Sequence, residues 1–169
     1  MNRNTIEKIL TFLKEKEDKE LPINWKMLLA KENTIRTFET HPDDVQYRYE
    51  GDLGLSGRNI TKLPNDLYVT GDLDLAHCKQ LTKLPDKLYV GGFLDLANTN
   101  ITSLPNNLYI KDWLDLENCK QITELPKKLY VGGYLYMRNT LLVNKYTEKE
   151  IRDIVASTGG EIKQRIIMY

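Results

Sequence analysis

The chain has 169 residues, of which 41% are hydrophobic, and 24 basic side chains balance 24 acidic ones. This length and composition suffice for one domain with a hydrophobic core, whereas the balanced charge removes the usual electrostatic basis for binding nucleic acid or an anionic membrane. No apolar segment approaches the roughly 18 to 20 residues of a spanning helix and the N-terminal residues lack a secretion signal, so we expect a single cytoplasmic domain over residues 1–169.

Residues 1–46 are predicted to form a helical N-terminal cap. Asn4 and Glu7 resemble a capping box, apolar residues follow at helical spacing, and a second short helix is expected after Pro22. A cap is favoured because the open end of a repeat array exposes leucines and strand edges; the alternative is a helix that lies on a membrane surface. His41, within an H-P-D-D sequence, fits ordinary turn chemistry, with an acid–base or metal site as the alternative.

Residues 47–140 are dominated by one motif with a period of 20 or 21 residues. A fixed period of this size indicates a solenoid, in which each turn buries its apolar face against its neighbours. The L-x-L step alternates with period two and predicts a parallel sheet of about five short strands. The proline in each full repeat cannot continue a helix, so the convex side is predicted to be extended or irregular. The L-x-L steps begin at Leu53, Leu73, Leu94, Leu114 and Leu135.

The second half of each repeat reads L-Y-V or L-Y-I, with Leu and the last residue inward and Tyr outward. Residues 45–52 are interpreted as a degenerate half-turn, with Tyr47 and Tyr49 at the positions of Leu67 and Val69. Glycine pairs after two of these segments are expected to give the corner its backbone freedom. The outward column, interpreted as repeat-encoded packing, contains Tyr68, Tyr89, Tyr109 and Tyr130.

The two cysteines, Cys78 and Cys119, occupy equivalent positions two turns apart. Parallel strands stack about 4.8 Å apart, so the predicted separation of roughly 9 to 10 Å exceeds the reach of a disulfide. We therefore expect free thiols. A metal site formed by Cys78 and neighbouring His77 would lack further ligands.

Residues 141–169 are predicted to form a C-terminal cap helix and a tail. Thr147 and Glu150 form a capping box, and Gly159 and Gly160 are expected to end the helix. The remaining residues are apolar and prone to form a strand. Two placements are open for them: an edge strand along the last turn, or a cover over the concave face.

The outward positions of the L-x-L strands carry acids in the early turns and aromatic residues in the late ones. Phe93, Trp113 and Tyr134 are predicted to lie side by side. For these aromatics, mutual stacking or cover by the tail competes with an interaction hot spot. For the acids, a solvated column competes with a basic partner or a weak divalent-cation site. The candidate partner-binding residues are Phe93, Trp113, Tyr134, Tyr136, Asp74, Asp95, Asp115, Glu117 and Arg138.

No Ser-His-acid set, Cys-His pair, phosphate-binding loop or clustered metal-ligand spacing is found in the sequence. We therefore expect no catalytic residues, no cofactor and no metal.

The repeats resemble leucine-rich repeats over about half the chain. The L-x-L-x-x-C-x-x-L and L-x-L-x-x-T-x-I segments resemble the two variants of the family's core segment, and I-T-x-L-P-x-x-L is similar to short bacterial leucine-rich repeats of secreted effectors. The L-Y-V-G-G-x-L-D-L corner resembles repeats of bacterial and bacteriophage proteins. These segments contain Leu73, Leu75, Cys78 and Leu81; Leu94, Leu96, Thr99 and Ile101; and Leu114, Leu116, Cys119 and Ile122.

The resemblance implies a leucine-rich-repeat solenoid with each cysteine in a buried loop, acting as a non-catalytic protein–protein interaction module. One function it implies is to bind and block, or recruit, a host or cellular protein through a concave acidic-aromatic face that fits a basic rim. No nucleic acid or membrane partner is expected, and the chain is expected to be a monomer or a weak oligomer. The alternative is a structural or self-assembling component that uses a sheet edge or the Tyr column.

Overall fold

The computed structural model describes residues 47–169. The predicted N-terminal cap, its membrane-surface alternative and the His41 turn lie outside the described residues. Across residues 47–169 there is no helix with the length and hydrophobicity that a bilayer crossing requires.

The described chain is a parallel β-solenoid with two six-stranded sheets. We call them the LYV sheet and the LxL sheet after the repeat segments that form them. The LYV sheet contains β1 (Tyr47–Tyr49), β3 (Leu67–Val69), β5 (Tyr89–Val90), β7 (Tyr109–Ile110), β9 (Tyr130–Val131) and β11 (Glu161–Ile162). The LxL sheet contains β2 (Leu53–Gly54), β4 (Leu73–Asp74), β6 (Leu94–Asp95), β8 (Leu114–Asp115), β10 (Leu135–Tyr136) and β12 (Ile166–Ile167).

The structure has one more sheet, and more strands in the predicted sheet, than the sequence analysis expected. One sheet of about five strands was expected, but the LxL sheet has six because the tail adds β12. The L-Y-V segments form a second sheet, since their period-two alternation suits a strand as well as the L-x-L step does. The proline-containing segment between the sheets is irregular, as predicted, apart from a bridge between Lys83 and Ser103.

The first strand confirms the interpretation of a degenerate half-turn for residues 47–52, the part of it that the structure describes. Tyr47 pairs with Leu67 and Tyr49 with Val69, in parallel register. Tyr49 is buried and belongs to the hydrophobic core. An aromatic side chain therefore serves at the start of the array in place of the aliphatic residue used by the later turns.

The core consists of the inward side chains of successive turns, in the pattern expected from the sequence. In the turn that begins at Leu94, each inward residue is at most 8% exposed. The hydrophobic effect stabilises these inward side chains only when turns stack, because a single turn leaves both of its flanks open to water. The inward residues of this turn are Leu94, Leu96, Ile101, Leu104, Leu108 and Ile110.

The two corners that carry glycine pairs depend on glycine for a reason that differs from the expected one. The glycine pairs do not adopt the left-handed conformation; a Cβ at Gly91 would lie 2.1 Å from the Thr70 carbonyl oxygen of the preceding turn. Close stacking, and not backbone freedom, therefore requires glycine there. The left-handed conformation is instead adopted by non-glycine residues, at two positions per turn: Asp66, Lys87, Asn107 and Lys128 before the LYV strands, and His77, Asn98, Asn118 and Asn139 after the LxL strands.

The C-terminal helix forms as the sequence predicts. After a short 3-10 helix (Leu142–Asn144), α1 (Glu148–Ser157) begins at a reciprocal capping box between Thr147 and Glu150. Its buried residues, Ile151 and Val155, join the core. The helix leads from β10 to β11, where the other turns carry the irregular proline segment, and Gly159 follows it with a φ of 82°.

The tail continues both sheets. The strand β11 pairs with β9 and β12 pairs with β10, so the edge-strand placement is correct and the tail does not cover the outer face. Arg152 fastens the helix to this last turn, because it pairs with Glu148 at 2.9 Å and donates hydrogen bonds to the carbonyl oxygens of Ile162 and Gln164.

Candidate functional site

The candidate site occupies the outer face of the LxL sheet. Its central column is in register from strand to strand and runs Gly54, Asp74, Asp95, Asp115, Tyr136 and Ile167. All nine candidate residues from the sequence lie on this sheet or in the turns directly beside its strands. We call this surface the acidic-aromatic face; it comprises Asp74, Asp95, Asp115, Glu117, Phe93, Trp113, Tyr134, Tyr136 and Arg138.

The aspartates of this column hold the chain where each strand ends. In each case Oδ1 accepts a hydrogen bond from the backbone N–H two residues later, at 3.0 Å for Asp74, 2.8 Å for Asp95 and 2.7 Å for Asp115. Sequence reasoning missed this contact, although an aspartate that bonds to a backbone N–H two residues on is a common turn device. The contact fixes each carboxylate and offsets part of the repulsion between neighbours in the column.

Two further aspartates bind the backbone of the following turn. Asp52 accepts the N–H of Asp72 at 2.9 Å, and Asp72 accepts the N–H of Phe93 at 3.0 Å. These carboxylates stabilise the corner before each early strand. They therefore have a structural role that Phe93, Trp113 and Tyr134, which occupy the same position directly before the later LxL strands, do not share.

Burial, together with neighbouring negative charge, raises the pKa of two aspartates in this column, Asp95 and Asp115. Burial raises the pKa of Asp95, with a further contribution from the charge of Asp74. For Asp115, burial and the charges of Asp95 and Glu117 raise the pKa to about 6, against the opposing effects of the Glu117 N–H and the Arg138 charge. Desolvation and like charge both disfavour the ionised form, so Asp115 is a carboxylate that a nearby cation would stabilise.

No described cation neutralises these carboxylates directly. Arg138 lies on the same face, but its Nε donates a hydrogen bond to the main-chain oxygen of Tyr169. Among residues 47–169, Arg138 compensates the charge of these carboxylates only in part, so the face carries net negative charge. The ion pairs within this part of the chain are Lys87 with Asp66, Arg152 with Glu148 and Lys163 with Glu161.

The aromatic residues form one contiguous cluster beside the acids. Phe93 and Trp113 stack with centroids 4.1 Å apart and planes 9° apart. Trp113 meets Tyr136 at 6.0 Å and 85°, and Tyr136 lies 6.1 Å from Tyr134 at a tilt of 41°. The sequence predicted that the stack would continue from Trp113 to Tyr134. It turns instead to Tyr136, the diagonal neighbour on the next strand, which lies within reach of a large ring.

The Tyr column on the LYV sheet has a different geometry. Its four rings stack face to face, with centroids 4.1, 4.8 and 4.6 Å apart and planes within 6° of parallel. Burial and the neighbouring hydroxyls of Tyr68 and Tyr109 raise the pKa of Tyr89 to about 12. Since each inner ring has both faces covered by its neighbours, this column favours repeat-encoded packing.

The cysteines are free and buried, as predicted. The thiol of Cys78 donates to the carbonyl oxygen of Leu55 at 3.1 Å, and that of Cys119 donates to the carbonyl oxygen of Leu96 at 3.0 Å. Thr99, at the equivalent position of the turn between them, donates to the same Leu96 oxygen at 2.7 Å. Burial raises the pKa of both thiols, so they satisfy main-chain carbonyls and are not activated nucleophiles.

A metal centre has no support in the part of the chain that the structure describes. Within residues 47–169 there is no group of three or more His, Cys, Asp or Glu side chains that could hold a metal ion. His77 is exposed, whereas neighbouring Cys78 is buried, so the two side chains do not face a common metal ion.

Comparisons of the chain with protein-family models, curated proteins and solved structures give no match. The acidic-aromatic face of this chain is a sheet surface on which an aromatic cluster lies beside a column of carboxylates. Such a surface can contact apolar groups and cations at the same time.

Proposed function

We propose that this chain is a non-catalytic protein-binding module of the leucine-rich-repeat type. Its acidic-aromatic face would take a bacterial or host protein with an apolar centre and a basic rim, and would block or recruit it in the cytoplasm. The observation that carries this proposal is the Phe93–Trp113 stack beside the in-register carboxylates Asp95 and Asp115. Aromatic anchors next to complementary charge are the usual composition of a protein interface core and its rim.

The repeat geometry supports the leucine-rich-repeat type. Each turn of 20 or 21 residues begins with a short parallel LxL strand, which is followed by a left-handed residue. Next comes a buried Cys or Thr at one position of the turn, and this row donates to main-chain carbonyls. The row contains Cys78, Thr99, Cys119 and Thr140.

The order already present in the aromatic cluster also supports binding. Trp113 is only partly exposed and is held by Phe93 on one side and by Tyr136 on another. A ring that is fixed before binding loses little conformational entropy when a partner covers it. The Tyr column offers a partner less free ring surface, because the faces of its rings are already stacked on one another.

A capture experiment with matched variants tests the proposal. The immobilised chain is exposed to a bacterial lysate alongside Trp113→Ala and Tyr109→Ala, two aromatic truncations on opposite sheets. We expect a protein that the parent and Tyr109→Ala retain and Trp113→Ala loses. Urea unfolding of each variant verifies that its fold is intact.

The competing function, a structural or self-assembling component, gives a different result. Light scattering of the parent would then show concentration-dependent oligomers that Tyr109→Ala or a sheet-edge variant dissolves. A monomeric parent whose partner depends on Trp113 supports the binding module. Retention of the same partner by Trp113→Ala would show that the acidic-aromatic face is not the binding surface.

A further inference from the structure

The late end of the acidic-aromatic face has rings in several orientations over a small area. The planes of Trp113 and Tyr136 are 85° apart, and Tyr134 is tilted 41° from Tyr136 and 38% exposed. Phe93 already covers one side of the indole. A ligand group that contacts this end of the face therefore meets the indole away from Phe93, where it also meets the rings of Tyr136 and Tyr134.

Carboxylates lie directly beside these rings. Asp115 is the register partner of Tyr136 on the adjacent strand, so the two positions are about 4.8 Å apart. The Oδ1 atom of Asp115 is held by the backbone N–H of Glu117, and the charge of the Glu117 side chain also acts on the Asp115 carboxylate. Among the described residues, no cationic group lies over Trp113, Tyr134 or Tyr136. The cation–π contact within residues 47–169 joins Lys145 and Tyr146, which lie outside this face.

We infer that Trp113, Tyr136 and Asp115 form a subsite for an arginine side chain of the protein partner. This inference rests on the proposed function and names the chemistry that the face selects. A guanidinium group can lie on an aromatic face while its N–H groups bind a carboxylate.

Arginine fits this subsite better than lysine for two physical reasons. Its guanidinium is planar and weakly hydrated, so it stacks on a ring and enters a half-buried position at a lower desolvation cost than a compact ammonium. Its N–H fork can also contact Asp115 and Glu117 together, whereas an ammonium acts as a point charge.

The electrostatic environment of Asp115 supports the same conclusion. Burial, Asp95 and Glu117 raise its pKa to about 6, and Arg138 lowers it only in part. The described groups that act on this carboxylate are thus two acids, one backbone N–H and one base. An additional cation would favour the ionised form, so binding of arginine should lower the pKa of Asp115.

Three short peptides test the inference on the intact chain: acetyl-Gly-Arg-Gly-amide and its lysine and citrulline counterparts. Binding is followed by NMR through the Trp113 indole N–H at fixed ionic strength. We expect saturable shifts with the arginine peptide, binding weaker by roughly threefold or more with lysine, and no saturable response with uncharged citrulline. Equal responses to arginine and citrulline would overturn the inference, as would lysine binding as tightly as arginine.

Variants and a pH titration complete the test. Asp115→Asn should weaken arginine-peptide binding by roughly threefold or more, whereas Asp86→Asn, an exposed acid outside the face, should leave it unchanged. Saturating arginine peptide should lower the pKa of Asp115, read from its carboxyl carbon resonance, by roughly half a unit or more. An unchanged Asp115 titration would exclude the subsite.

The two proposals can fail separately. If a partner depends on Trp113 but the arginine peptide does not bind, the face is an interface without this subsite. If the arginine peptide binds and every partner ignores Trp113, the proposed function fails.

Discussion

Gly91 lies directly over the carbonyl group of Thr70, and a Cβ at Gly91 would lie 2.1 Å from that oxygen. The contact is with backbone, which cannot turn aside as a flexible side chain can. Gly132 has the same relationship to Lys111, where the distance would be 2.0 Å. At these two corners the close approach to the preceding turn therefore requires a residue without a side chain.

Gly91→Ala should destabilise the protein by roughly 1 to 3 kcal/mol, because the corner must move to accept the methyl group. Gly54→Ala is the matched control, since a Cβ at Gly54 would meet nothing within 4 Å, and it should change stability by less than about 0.5 kcal/mol. Urea unfolding measures both. Equal stability of the two variants would show that the corners do not stack as closely as described.

Much of the fold could be predicted from the sequence because strand alternation assigns inward and outward residues without knowledge of neighbours. Leu94 and Leu96 are buried, and Tyr49 takes the place of Val69 in the first strand, as the pattern indicated. The second sheet was missed although L-Y-V alternates with the same period as L-x-L, because the proline before it led us to expect an extended or irregular segment on that side of each turn.

The details of the site were harder to predict. The column alignment placed Tyr134 beside Trp113, but side-chain direction brings Tyr136 to the indole instead. Rotamers depend on the space that neighbours leave, which a single sequence does not encode. Likewise, the left-handed conformation falls on Lys87 and Lys128, residue types without a turn preference, because the repeat requires it at that place.

Leu96→Ala should lower the free energy of unfolding by roughly 2 to 5 kcal/mol, since Leu96 is 0% exposed and neither end of the array can fill the resulting cavity. Leu141→Ala removes the same atoms from a side chain that is 49% exposed, and should cost far less. Urea titration compares the two. A loss below about 0.5 kcal/mol for Leu96→Ala would contradict its inward position.

Asp115→Asn should stabilise the protein at pH 7.5. The pKa of Asp115 rises from its ordinary value of 3.8 to about 6 in the folded state, so the native protein binds more protons between these values and its stability falls as pH rises through that window. The amide removes the charge and can still accept the Glu117 N–H, for a gain on the order of 1 kcal/mol after allowance for partial exposure.

This gain should shrink as the pH falls and be small near pH 4, where the parent carboxyl is protonated in the native state and partly protonated in the unfolded state. Urea titrations of parent and variant between pH 4 and 7.5 measure the difference, and Asp86→Asn is the exposed control. A difference that does not change with pH would show that the Asp115 carboxyl is not perturbed.

Cys78 and Cys119 should react slowly with a thiol reagent in the native protein, because both are 0% exposed and burial raises the pKa of each thiol. In denaturant both should react at the rate of an unfolded thiol. Reducing and non-reducing gels should show the same monomer. Rapid labelling without denaturant would place these side chains outside the core.

The most direct test of the account is the affinity of a captured partner for the parent, Trp113→Ala and Tyr109→Ala, measured by titration calorimetry. Trp113→Ala should raise Kd by about 30-fold or more, equivalent to about 2 kcal/mol, as the loss of a central aromatic anchor does. Tyr109→Ala should stay within about threefold of the parent, because its ring is already stacked between Tyr89 and Tyr130. An unchanged Kd for Trp113→Ala, together with a large loss for Tyr109→Ala, would contradict the account and assign binding to the LYV sheet.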